Sequence, residues 1–301
     1  MSKRVLILGG TGMLGHVLFL HLSSINNFDV YATARSSKNL EDWFPEKLID
    51  KIRHGVDADN FDTLIRAFAA IQPEIVINCI GLIKQLPMAK DPLSAITINS
   101  LLPHRISMLC RTAHARFIHI STDCVFDGQK GNYVETDSAN PNDLYGMSKL
   151  LGEVAYPPHC ITLRTSMIGH ELKGKRGLIE WFLAQENKVQ GYSGVIYSGF
   201  PTIELSHIIA DHIIPNTDLT GIYHVSSNPI SKYDLLKLVA EKYNKKVEIE
   251  QYDSFVQDRS LDSTLFRKLS GYSPPNWPEL VDKMHEYYIS SSFYNKLENK
   301  G

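Results

Sequence analysis

Tyr145 and Lys149, in the run Tyr145-Gly146-Met147-Ser148-Lys149, are four residues apart and share one face of any helix that carries them. That spacing can move a proton. A free phenol titrates near ~10, and an ammonium close by favours its charged form. The pair therefore predicts a phenol that can give or take a proton near neutral pH. Thr122, in Ser121-Thr122-Asp123-Cys124-Val125-Phe126, offers a hydroxyl that can hydrogen-bond a reacting carbonyl oxygen beside the tyrosine. A tyrosine–lysine spacing arises by chance in many chains, so its weight depends on what surrounds it.

A second chemistry is written at Gly9-Gly10-Thr11-Gly12-Met13-Leu14-Gly15. A glycine turn between a strand and a helix suits a dinucleotide: Gly9 makes the turn and Gly12 lets backbone approach a pyrophosphate. The helix N-terminus attracts the negative charge, and Gly15 allows close helix–strand packing. Gly9, Thr11, Gly12, Met13, Leu14 and Gly15 are the candidate contacts; the alternative is a merely structural turn. About twenty residues further on, an NAD enzyme places an acid for the ribose diol. Arg35 stands there, followed by Ser36, Ser37 and Lys38. A guanidinium can take a 2′-phosphate through paired hydrogen bonds, which favours NADP(H) over NAD(H). Asp57, after the third strand, is a candidate acceptor for the adenine amine or an ordinary loop acid. Cys79 and Gly81, in Asn78-Cys79-Ile80-Gly81, close the fourth strand where backbone meets cofactor. Asn99 is a candidate bridge from Lys149 to water; a packing amide is its alternative.

Elements must position these groups. Strand patterns run at Arg4–Leu8, Asp29–Thr33, Ile75–Cys79, Arg116–Ser121 and Ile161–Arg164, with helical patterns near Met13–Ser23, Phe61–Ala70, Pro92–Thr112 and Tyr145–Ala155. Apolar, unalternating strands separated by helices predict a parallel sheet covered on both faces, a doubly wound α/β (Rossmann) fold. After about Thr165 the alternation loosens. Lys173-Gly174-Lys175-Arg176-Gly177 reads as a mobile cationic loop. Helices follow near Leu178–Asn187, Glu204–Ile214, Tyr233–Tyr243 and Pro278–Ile289, with strands near Val195–Ser198 and Gly221–Ser226. Residues 1–165 are expected to form the NADP-binding domain, with the later strands near 195–226 joining its sheet. Residues 166–301 are expected to form mainly a smaller, interleaved substrate lobe. The aromatic tail (Trp277, Tyr287, Tyr288, Phe293, Tyr294) reads as a packed or frayed terminal helix, with an interface as its alternative.

Bulk properties narrow the partners. A net charge of −2 over 301 residues and a pI near 6.6 give no overall attraction to nucleic acid or anionic membrane. No apolar run reaches membrane-spanning length, and the first apolar stretch is too short for a signal-peptide core. Cys79, Cys110, Cys124 and Cys160 lack metal or redox spacing, so reduced thiols in the cytoplasm are the expectation. The histidines include no HExxH, and Gly191-Tyr192-Ser193-Gly194 is not a nucleophile elbow.

At these residues the chain resembles the extended short-chain dehydrogenase/reductases, most closely the dTDP-4-dehydrorhamnose reductase group. The resemblance spans nearly the whole chain. It rests on the glycine turn, Asn78–Gly81, the Asn99 helix, Ser121–Gly128, Tyr145–Lys149, Leu163–Ser166, Phe200–Thr202 and Asp258–Ser263. It implies Thr122, Tyr145 and Lys149 as a catalytic triad, Asp123 and Met167 beside a sugar, and Arg259 near a nucleotide diphosphate. Lys84 and Cys124 join the implied substrate contacts. The implied reaction is NADPH-dependent reduction of the 4-keto group of a nucleotide-activated 6-deoxyhexose, in an enzyme that can form a homodimer. Two departures bear on the sugar: the group usually has tyrosine at Cys124 and an aromatic at Met167. The substrate that the resemblance implies is therefore dTDP-4-dehydrorhamnose or a UDP-linked 2-acetamido-2,6-dideoxy-4-hexulose, feeding polysaccharide biosynthesis. No metal carries over, although His16 flanks the place where one would be sought. A sugar-nucleotide epimerase and a non-catalytic NADP-binding regulatory subunit are the alternatives. A 4,6-dehydratase is disfavoured, because Cys124 stands where such enzymes carry Glu after Asp.

Overall fold

Val5, Leu6, Ile7 and Leu8 are all buried, as a strand covered by helices on both faces must be. Their side chains alternate between two cores: Val5 and Ile7 enter one, Leu6 and Leu8 the other. The computed structural model describes residues 2–84, 87–291 and 294. Its strands in chain order are β1 (Lys3–Leu8), β2 (Phe28–Thr33), β3 (Ile52–Arg53), β4 (Ile75–Asn78), β5 (Arg116–Ile120), β6 (Cys160–Arg164) and β7 (Met167–Ile168). They continue with β8 (Lys188–Tyr192), β9 (Val195–Tyr197), β10 (Phe200–Pro201), β11 (Gly221–His224), β12 (Ile230–Ser231), β13 (Glu248–Tyr252) and β14 (Gln257–Asp258).

Seven of these form one parallel sheet in the order β11-β6-β5-β4-β1-β2-β3, the expected doubly wound α/β architecture. Val5 aligns with Val30 on one side and Ile75 on the other. The strand order reverses between β1 and β4, and a crevice for a ligand opens outside the carboxyl ends at such a point.

The later part of the chain adds β11 to the sheet but not β9. Val195–Tyr197 lies instead between β12 and β14 in a separate three-stranded sheet, which corrects the expectation that both segments join the main sheet. β10 pairs with β7, and β13 with β8. The helix expected over Leu178–Asn187 stops at Leu183, and residues 184–187 form the turn that leads into β8.

Two helices differ in ways that matter for the site. The helix carrying Tyr145 spans Leu144–Leu151, shorter than expected. It ends at Gly152, whose position a side chain could not occupy: a Cβ there would lie 1.9 Å from the Asn99 carbonyl oxygen. The long helix over 92–112 contains a π-helical turn, Ile96–Leu101, which holds Asn99. Such turns widen a helix locally and often mark functional positions.

Candidate active site

The glycine turn sits at the carboxyl end of β1. Gly9 adopts φ +82°, and a Cβ there would meet Ile80 Cγ1 at 3.0 Å and the Cys79 carbonyl at 3.3 Å. Glycine thus lets the turns after β1 and β4 pack together. Gly15 is tighter still, since a Cβ would fall 2.1 Å from the Gly9 oxygen. Gly12 differs: it is exposed, and a Cβ would meet only the Gly9 oxygen at 3.3 Å. No side chain caps the helix Met13–Ser23 that Gly12 begins, so its first N–H groups are open to an anionic ligand. This donor set fits a pyrophosphate. Leu14 is buried, leaving only its backbone for a ligand, while Thr11 and Met13 are half-buried. Arg35 and Lys38 are exposed just past β2. Asp57 is exposed too, and its Oδ1 accepts from the Asp59 N–H at 3.2 Å. The Lys173–Gly177 loop is tied down. Glu171 Oε2 accepts from the Arg176 and Gly177 N–H groups at 2.8 and 3.1 Å, and Lys173 lies over the Trp43 ring.

Thr122, Tyr145 and Lys149 come together beyond the ends of β5 and β4. Asp143 caps the tyrosine helix by accepting from the Gly146 N–H at 2.8 Å. Gly146 lets that helix approach the Thr122 turn, because a Cβ there would lie 2.2 Å from the Cys124 oxygen. The Tyr145 phenol is thereby within hydrogen-bonding reach of the Thr122 side chain. Thr122 Oγ1 donates to Asp123 Oδ1 at 3.1 Å and accepts from the Cys124 N–H at 3.1 Å. Lys149 is buried, and its Nζ donates to the Ile120 oxygen at 2.7 Å.

Electrostatics correct one expectation. Burial, reinforced by Cys124 and Asp123, raises the Tyr145 pKa and outweighs the Thr122 hydrogen bond. The phenol is therefore held protonated, not drawn towards neutrality as the lysine spacing alone predicts. Burial lowers Lys149 to about 8, opposed by Glu153 and Cys79. Cys79 and Cys124 are both pushed up to about 12 by burial, so neither is a thiolate nucleophile. Asn99 serves the scaffold. Its Oδ1 accepts from the Leu82 N–H at 2.8 Å, and its Nδ2 donates to the Leu82 oxygen and Ser148 Oγ, each at 3.1 Å. Gly81 is exposed beside it. Behind the site, Arg164 grips Glu153 through two hydrogen bonds of 2.9 and 2.8 Å, and Ser121 Oγ donates to the same carboxylate.

Cations gather on the far side of Thr122. Arg259 is buried; it donates through Nε to the Phe126 oxygen at 2.8 Å, and through its Nη atoms to Cys124 Sγ at 3.6 Å and Asn142 Oδ1 at 3.4 Å. Lys84 pairs with Asp143 at 2.7 Å. Lys232, which the sequence reading missed, begins the helix Lys232–Lys242 and is lowered by burial while feeling Asp123, Cys124, Lys84 and Arg259. Nothing local in the sequence marks it; β12 carries it there by pairing with β9, beside β14 and Arg259. Asp123 sits among these groups with its pKa raised by burial. Met167 is half-buried in β7.

Among the described residues, the tail packs against the body of the protein. Trp277 Nε1 donates to the Asn228 oxygen at 2.6 Å, and Tyr294 is buried against His16. Phe293 lies outside the described residues.

The family model described as RmlD substrate binding domain matches residues 3–288. A dTDP-4-dehydrorhamnose reductase from Aggregatibacter actinomycetemcomitans is 26% identical, over 94% of this chain and 99% of the relative. The methionine adenosyltransferase 2 subunit beta of Danio rerio is 27% identical, over 80% of this chain and 74% of the relative. The dTDP-4-dehydrorhamnose reductase of Bacillus anthracis, solved in complex with NADP, superposes with a TM-score of 0.76 at 22% identity, covering 95% of this chain and 100% of that one.

Proposed function

The chain belongs to the RmlD substrate-binding family, and we propose that it is an NADPH-dependent reductase of the 4-keto group of a nucleotide-activated 6-deoxyhexose. The observation that carries this reading is the convergence, beyond the carboxyl ends of the central strands, of an uncapped glycine turn with Thr122, Tyr145 and Lys149. The NADP held by the Bacillus anthracis reductase and the exposed Arg35 both favour NADP(H) over NAD(H).

When bound, the cofactor supplies the hydride that reduces the carbonyl carbon. Tyr145 gives its phenolic proton to the developing alkoxide oxygen, and its raised pKa keeps that proton in place until then. Thr122 holds the carbonyl oxygen beside the phenol. Lys149, mostly charged below about 8, stabilises the phenolate left behind. Arg259, Lys84 and Lys232 take the glycosyl diphosphate, a remote handle whose binding energy positions the sugar. Asp123, Cys124 and Met167 line the sugar. With cysteine and methionine at positions where the resembling group has aromatic rings, both the dTDP-linked sugar and the bulkier UDP-linked 2-acetamido sugar fit the reading.

Reduced thiols and the absence, among the described residues, of a helix long and apolar enough to cross a membrane support a cytoplasmic enzyme. Exposed Leu93, Ile96, Leu101 and Met108 on one helix, with Met147 and Leu151 on the tyrosine helix, support a homodimer through that face.

The test is NADPH oxidation with each 4-keto sugar nucleotide. Oxidation by the wild type, with Tyr145→Phe reduced by about 10²–10⁴ in kcat and unchanged in NADPH affinity, is the expected result. Oxidation with neither sugar despite tight NADPH binding would move the protein towards the non-catalytic, NADP-binding subunit reading, in keeping with a Danio rerio relative named as a subunit, methionine adenosyltransferase 2 subunit beta. The rate should fall as pH rises through about 8, where Lys149 loses its charge; a flat profile to pH 9.5 would remove Lys149 from the mechanism.

A further inference from the structure

A buried line of contacts enters the glycine turn from the other end of the chain. His16, fully buried, places Nδ1 2.8 Å from the Gly12 carbonyl oxygen and Nε2 2.6 Å from the Tyr294 hydroxyl. Burial pushes its pKa down to about 4, so the ring is neutral, with one N–H and one bare nitrogen. A carbonyl can only accept. Nδ1 must therefore carry the hydrogen, and Nε2 must accept from the Tyr294 O–H. The tyrosine hydroxyl, by donating to Nε2, supports the tautomer that grips Gly12 and holds the ring in place.

The Gly12 carbonyl and the Met13 N–H belong to one planar trans peptide and point in opposite directions. Holding the oxygen, which also accepts the His16 backbone N–H at 3.1 Å, aims the Met13 N–H out of the helix N-terminus. Besides that helical bond and the Gly12 N–H donated to the Gly9 oxygen at 3.0 Å, no side chain other than His16 holds the peptide: Gly12 has none of its own, and none caps the helix. Tyr294 is itself steadied by the His170 and Tyr288 rings, at 5.3 and 5.1 Å between centroids. His170 is pinned in turn by Glu180 at 2.6 Å and the Tyr243 hydroxyl at 2.9 Å.

We propose that Tyr294 is a positioning residue for the dinucleotide: acting through His16, it orients the Gly12–Met13 peptide whose N–H faces the pyrophosphate. Cofactor affinity is thus set partly by a side chain near the end of the chain. The inference rests on the dinucleotide reading of the glycine turn, and the experiment separates the two.

NADPH binding to the full-length protein would be measured for wild type and Tyr294→Phe, which keeps the ring and removes only the hydroxyl. Adenosine 2′-monophosphate, which lacks the pyrophosphate, is the control ligand. The expected result is an NADPH Kd raised roughly five- to tenfold, the loss of about one hydrogen bond, with the control Kd unchanged. His16→Phe, which cannot grip Gly12, should weaken NADPH by at least as much and gain nothing further from Tyr294→Phe. Equal NADPH affinity in wild type and Tyr294→Phe would overturn the proposal. Equal weakening of NADPH and the control would also overturn it, because packing alone would then explain the loss. A wild type that binds neither NADPH nor NADH would remove the dinucleotide reading, and this inference with it.

Discussion

The turn after β1 and the cationic wall around Asp123 both stand beyond the carboxyl ends of the main sheet, yet they are assembled in different ways. The turn draws on residues 9–15, and each glycine answers to an atom a few residues or one neighbouring strand away. The wall draws Lys84 from the loop after β4, Asp123 from the turn after β5, Met167 from β7, Lys232 from the end of β12 and Arg259 from the end of β14. One region is fixed by local sterics, the other by how two small sheets pair beside the main one. A contiguous motif fails abruptly when altered, whereas a dispersed wall loses affinity one contact at a time.

Substitutions can break or sharpen that contrast. Gly15→Ala should have the largest effect, because its methyl would sit 2.1 Å from a backbone oxygen that cannot move aside. A loss of more than about 3 kcal/mol in thermal unfolding is expected. Gly12→Ala should unfold near the wild-type temperature while losing NADPH affinity; equal melting of the two variants would show that the turn is not built as described. Arg259→Met comes next. It strands the Phe126 carbonyl, at a cost of about 1–3 kcal/mol, and should raise KM for the sugar nucleotide about tenfold while sparing KM for NADPH. If both KM values rise together, the wall and the turn are not independent. Arg35→Asp should change least. The side chain is exposed, so stability should hold while the NADPH/NADH preference in kcat/KM drops roughly tenfold. An unchanged preference would take Arg35 out of cofactor selection.

The same contrast explains what the residues reveal before folding. Gly9, Gly12 and Gly15 are readable because their need for absent side chains is set by near neighbours. Tyr145 and Lys149 are readable because helical spacing alone puts them on one face. Their acidity is not, since burial, which depends on the whole tertiary structure, reverses the direction the spacing suggests. Lys232 and Tyr294 carry no local mark; β12 pairing brings in the first and the His16 contact the second. β7, β10, β12 and β14 are two residues long, too short for any periodicity to show. Cys124 and Arg259 are each legible as candidates, but the contact between them depends on β14 lying beside β9.

β6 remains an open edge until β11 lies beside it, and Arg164 and His224 at their ends are 60 residues apart in the chain. Every residue of β6 is buried in the finished protein. At a synthesis rate of about 5–20 residues per second, that strand waits roughly 3–12 s for its neighbour. A fragment stopped at Thr165 would wait indefinitely, with a row of unpaired N–H and C=O groups ready to recruit another chain. The early segment that holds the glycine turn and the tyrosine helix is therefore an aggregation hazard by itself, and β11 is the cover that makes it safe.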